Sequence, residues 1–89
     1  MITFTARKWD EEQLAKRLAR ILIGNDHVWY LTDSRKWQLG SGNNFWLHPE
    51  GKGRYTLSLR YSSQEKLDAL VVLLEWRLQG VCAEKEKAT

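Results

Sequence analysis

Residues 27–61 are HVWYLTDSRKWQLGSGNNFWLHPEGKGRYTLSLRY, and the spacing of turn-forming residues within them decides the fold. TDSRK, GSGNN and HPEGKG recur at near-regular intervals, each between segments rich in β-branched and aromatic residues. That pattern predicts an antiparallel meander with strands near 27–32, 35–39, 44–48 and 54–61. The last is the clearest. Tyr55, Leu57, Leu59 and Tyr61 alternate with Arg54, Thr56, Ser58 and Arg60, so one face is buried and the other meets water.

Working outward, the segment before the meander is a punctuated helix. Asp10 and Gln13 have capping-box spacing, Trp9 and Leu14 stand where a hydrophobic staple closes, and Gly24-Asn25 supply a stop. Leu14, Leu18, Ile21 and Leu22 share one face, whereas Gln13, Lys16, Arg17 and Arg20 share the other. Ahead of it, Ile2 and Phe4 alternate with Thr3 and Thr5 as a short first strand. After the meander, SSQEKLDALVVLLEWRLQG forms a second helix, capped by Ser62 or Ser63 and ended at Gly80. Leu67, Leu70, Val71, Leu74 and Leu78 make its core stripe. Ala69, Val72, Leu73 and Trp76 make a second apolar stripe on the opposite side, which needs something else to pack against.

The expected architecture is therefore one two-layer α+β domain over residues 1–80, with an antiparallel sheet of four to five strands and two helices in the order β-α-β-β-β-β-α. Residues 81–89 are expected as a short, charged, frayed tail. At 89 residues a single core is all the chain can build. One cysteine, Cys82, excludes an intramolecular disulfide and a Cys-based zinc site, and suits a reducing compartment. With no apolar run of membrane-span length and no leader-like opening, the expected location is the cytoplasm, with no membrane partner.

Catalytic, cofactor and metal chemistry find no support. The two histidines, His27 and His48, lack any paired spacing, and Asp33-Ser34 are ordinary turn residues. LGSGNN and PEGKG lack the phosphate-loop pattern and are expected as hairpin turns. No catalytic, cofactor-binding or metal-binding residue is assigned, and no small-molecule substrate is expected.

Binding is better represented. The five tryptophans admit three uses: a sheet core, a stacking platform for nucleic acid, or anchors of a protein interface. Strand alternation cannot send Val28, Trp29, Tyr30 and Leu31 all to one side, nor Phe45, Trp46 and Leu47. Together with the second stripe of the last helix, this leaves more aromatic surface than one core hides, and surplus rings beside arginines are the composition of interface hot spots. The leading expectation is a non-enzymatic protein-binding module that docks on a partner or self-associates as a homodimer. Its candidate residues are Trp76, Leu73, Val72, Ala69 and Trp46, with Lys16, Arg17 and Arg20 on the first helix. The alternative is a small nucleic-acid-binding regulator using Arg54, Arg60, Lys36 and Trp46 on the wet face of the sheet. The net charge of +3 permits a polyanion without requiring one.

From the first helix onward the element order resembles that of double-stranded-RNA-binding domains. Those domains begin their last helix with a lysine cluster, where this chain has Ser63-Gln64-Glu65-Lys66-Leu67-Asp68. His48-Pro49-Glu50 resembles a pterin dehydratase motif, but that family uses adjacent histidines. Neither membership is expected. In type, a compact domain without catalytic signature resembles the small accessory proteins by which phages and mobile elements block host machinery, inhibitors of CRISPR effectors among them.

Overall fold

The computed structural model describes residues 1–42, 44–61, 63–78 and 82–85. Its elements are β1 (Ile2–Thr5), α1 (Glu11–Ile23), β2 (Val28–Leu31), β3 (Lys36–Leu39), β4 (Phe45–Gly51), β5 (Arg54–Leu59), α2 (Gln64–Arg77) and β6 (Cys82–Lys85). The strands form one antiparallel sheet in the order β2-β3-β4-β5-β1-β6. The α+β architecture and the order β-α-β-β-β-β-α are as the sequence predicts, with a sixth strand added. That strand corrects the expectation of a frayed tail from residue 81. Residues 82–85 pair with β1, because main-chain hydrogen bonds on an open sheet edge need no apolar alternation to recruit a short strand. The α2 terminus also differs. Ser63 is the cap, its Oγ accepting from the Lys66 N–H at 3.2 Å, but the helix ends at Arg77 with Leu78 as an extended C-cap. The expected stop, Gly80, lies outside the described residues, as does Ser62.

The register turns sequence alternation into two distinct faces. Ile2, Leu57, Leu47, Trp37 and Tyr30 align across the sheet in one row, and Leu59, Phe45, Leu39 and Val28 in another. Ile2, Leu57, Leu47 and Leu39 of these rows meet Leu14, Ala15, Leu18 and Ala19 of α1 and Leu67, Leu70, Leu74 and Leu78 of α2 in a single buried cluster, with Trp37, Val28, Phe45 and Leu59 partly buried against it and Tyr30 exposed at the edge. Both helices therefore cover the same face. Burying an aliphatic side chain of this size contributes about 2 kcal/mol, so the leucines dominate the stability.

Local signals agree with this packing. The Asp10 side chain accepts from the Gln13 N–H at 2.8 Å, and the Asp10 N–H donates to Gln13 Oε1 at 3.3 Å, the reciprocal box expected. Gly24 closes α1 at φ 78°. Gly51 pairs with Arg54, leaving Lys52 and Gly53 at φ 55° and 76° as a two-residue turn of the twist that matches a hairpin. A side chain at Gly53 would collide with that of Arg7, so this turn seats directly on the β1–α1 connection, where the Ala6 N–H donates to Gly53 O at 2.8 Å.

Tyr55, only 6% exposed, stacks on Phe4 with ring centroids 5.8 Å apart. Burial raises its phenol above the ordinary value of 10.0, aided by the Glu11 and Asp10 carboxylates. A raised acid favours its neutral form in the fold, so the stability it contributes is complete below pH 10.0 and lost as pH climbs toward the folded value. Thermal melts of the wild type should fall more steeply above pH 10.0 than those of Tyr55→Phe; superimposable slopes would show that Tyr55 ionises freely.

Candidate functional site

Three surfaces remain once the core is assigned, and the tryptophans mark them. None of the five belongs to the buried core, whose large residues are leucines, Ile2, Phe4 and Tyr55. Trp9 and Trp37 lie partly buried against that core. The Trp37 indole N–H donates to Glu11 Oε1 at 3.3 Å, tying β3 to the first turn of α1. Trp29, Trp46 and Trp76 face outwards from the core.

The first surface is the sheet face that no helix covers. Trp29, Gln38, Trp46 and Ser58 are aligned across four strands, which places the two tryptophans about 10 Å apart, with one strand between. Lys36 Nζ lies 5.2 Å from the Trp46 ring, and His48 opposes Thr56 in the neighbouring row. Of the four residues expected to act together, the structure joins Lys36 and Trp46. Arg54 shares the face but lies four residues from Ser58 along β5, about 13 Å away. Arg60 follows the strand, its guanidinium 5.3 Å from the Tyr61 ring. The expected quartet is thus spread along the sheet rather than clustered, because β5 is extended and spaces its arginines by strand geometry.

The second surface is the outer side of α2. Val72 is 66% and Trp76 78% exposed, and Ala69 is exposed beside them. Leu73 is a correction to the expected stripe. It is partly buried and packs against the core, because at about 100° per residue it lies only about 60° from Leu70, on the flank rather than opposite the core. The ridge is therefore Ala69, Val72 and Trp76.

The third surface is the basic side of α1, and ion pairing divides it. Lys16 meets Glu12 at 3.8 Å and Arg20 meets Asp26 at 3.2 Å. That contact and the Arg20 hydrogen bond hold the Asp26 carboxyl below its ordinary value. Arg17 instead lies over Trp9, 4.8 Å from the ring centroid, with Lys8 at 5.5 Å from the same ring. Among the described residues, neither Arg17 nor Arg77 meets a carboxylate. Lys16, Arg17 and Arg20 are thus not one uniform patch. Arg17, Arg20 and Ile21 of α1 join Arg77 and Leu78 at the end of α2 to line a cleft of ≈ 180 Å³. Arg77 is the residue that sequence reasoning missed. It was visible only as a cation on the flank of α2, and nothing local indicated that this flank meets α1.

His27 precedes β2, His48 lies within β4, and Asp33-Ser34 occupy the β2–β3 turn. Among the described residues no group of three or more His, Cys, Asp or Glu side chains could hold a metal ion, and no helix is long and apolar enough to cross a membrane. Compared with protein-family models, curated proteins and solved structures, the chain has no match.

Proposed function

We propose that this protein is a non-enzymatic binding module that docks on a partner protein through the outer ridge of α2. The observation that carries this reading is Trp76, the largest side-chain type, held 78% exposed beside an exposed Val72 on a helix whose other side is core. Exposed tryptophan next to arginine is the composition of interface hot spots, where a ring enters a pocket and neighbouring polar groups exclude water. The complementary partner offers an apolar groove for Trp76 and an acidic margin for Arg77. A module of this kind acts by occlusion, blocking or redirecting the machine it covers, as a phage- or mobile-element-encoded inhibitor does.

The test is capture from a lysate of the encoding organism on immobilised wild-type protein and Trp76→Ala, with and without nuclease, alongside light scattering of the free chain. The expected result is a protein retained by the wild type, lost by the variant and indifferent to nuclease. A concentration-dependent dimer abolished by Trp76→Ala would make a second copy the occupant. Equal capture by both proteins, with a monomeric free chain, would end the ridge proposal.

One observation favours a second reading. The Lys36–Trp46 stack at 5.2 Å, aligned with Trp29 and followed along the face by Arg54, has the ingredients of single-strand recognition: rings for bases and cations for phosphates. Labelled single-stranded RNA and DNA should then bind in low salt, weaken steeply as salt rises, and lose roughly tenfold in affinity with Trp46→Ala, since stacking contributes about 1–3 kcal/mol per base. Binding that is absent, or unaltered by Trp46→Ala, would remove the sheet face from consideration.

A further inference from the structure

We infer that the cleft between the last turns of α1 and α2 is an oxyanion site that receives the phosphate monoester group of a small ligand. The inference does not depend on the α2 ridge having a partner: Arg77 alone is common to the two surfaces, and the cleft is tested with a different probe.

Three arginines, Arg17 and Arg20 from α1 and Arg77 from α2, line a cleft of ≈ 180 Å³ together with Ile21 and Leu78. The fold does not require this gathering. Arg77 lies in the last turn of α2 and Arg20 in that of α1, where the helix dipole favours a cation. The dipole does not account for both side chains lining one hollow with Arg17. Against the three positive charges stand one carboxylate, Asp26 on Arg20 at 3.2 Å, and the carbonyl ends of the two helices, equivalent to about half a charge each. A positive surplus remains, and it is largest between Arg17 and Arg77, which among the described residues meet no carboxylate.

The number of donors at the cleft selects the ligand. A carboxylate has two oxygens, which one or two arginine forks can saturate. A phosphate monoester offers three strong acceptor oxygens and a charge of about −1.5 to −2 near neutral pH, and here three arginines from two helices line the cleft. The contact between Arg17 and the Trp9 ring, at 4.8 Å, leaves guanidinium donors over, since the group carries five N–H bonds.

The experiment is an NMR titration of the arginine side-chain N–H signals with inorganic phosphate, a nucleoside monophosphate and a phosphoserine peptide, in low salt near neutral pH. Saturable shifts at Arg17, Arg20 and Arg77 are expected with inorganic phosphate, with Kd on the order of 1 mM. Arg17→Gln and Arg77→Gln should each weaken binding at least about tenfold, as loss of a charged hydrogen bond does. Asp26→Asn should tighten it several-fold by releasing Arg20, a gain that a merely structural role for Asp26 would not produce. Arg35→Gln, which removes the same charge in the distant β2–β3 turn, should change affinity less than about twofold. Tighter binding of the nucleoside monophosphate would indicate a carried phosphate, and equal binding a free one. Shifts that never saturate, or that respond equally to Arg35→Gln and Arg77→Gln, would reduce the cleft to general charge screening and overturn the site. Saturation by the phosphopeptide alone would overturn the small ligand in favour of a phosphorylated protein.

Discussion

Leu57→Ala is expected to lower the unfolding free energy by about 3 kcal/mol, within the roughly 2–5 kcal/mol that buried leucines show. Leu57 has no exposed surface and lies in β5 between Ile2 of β1 and Leu47 of β4, so its removal leaves a hole bounded by the paired strands and the helices above them. The sheet cannot collapse into that hole without breaking its register, and the cavity contribution adds to the lost transfer energy. Urea unfolding followed by circular dichroism measures it: the midpoint should fall while the denaturant slope stays constant. A loss below about 1 kcal/mol would place the stabilising core elsewhere.

Trp76→Ala should behave in the opposite way. The tryptophans contribute the largest rings in the chain, yet this one is 78% exposed, so its truncation should change stability by no more than about 0.5 kcal/mol, as at other surface positions. Its effect should appear in partner affinity, where losing a buried anchor costs at least about 2 kcal/mol, or roughly thirtyfold in Kd. The two measurements on one variant separate the possibilities. A large stability loss with intact binding would make Trp76 a packing residue, and a large affinity loss at constant stability would make it an anchor.

The contrast between Leu57 and Trp76 shows where sequence reading holds and where it stops. Leu57 is legible because Tyr55, Leu57 and Leu59 alternate with polar neighbours, and a period of two can serve only one buried face. The α1 cap was equally legible, because Asp10 and Gln13 interact within one turn and need nothing distant. The core stripe of α2 followed from its period, and the exposed positions Val72 and Trp76 from its surplus. Leu73 was misplaced because a residue on the flank of a helix is assigned by what packs beside it. Of the four residues expected to act together on the sheet, Lys36, Trp46 and Arg54 share a face while Arg60 lies past the end of β5; their distances depend on strand pairing, and Lys36 and Trp46 proved to be neighbours.

By itself, then, the sequence determined the elements from β1 to α2, their order, the N-caps and which alternating residues of the meander would be buried, since each follows from local periodicity and turn chemistry. The tertiary structure decided the rest. It inserted β1 between β5 and β6, because a strand pairs wherever an open edge offers main-chain partners. It kept all five tryptophans out of the fully buried core, because the leucines of two helices and three strands already fill the space between the layers. It also brought Arg77 beside Arg20 and Arg17, 57 and 60 residues away in the chain, since side chains far apart in sequence become neighbours only through the packing of one helix end beside another.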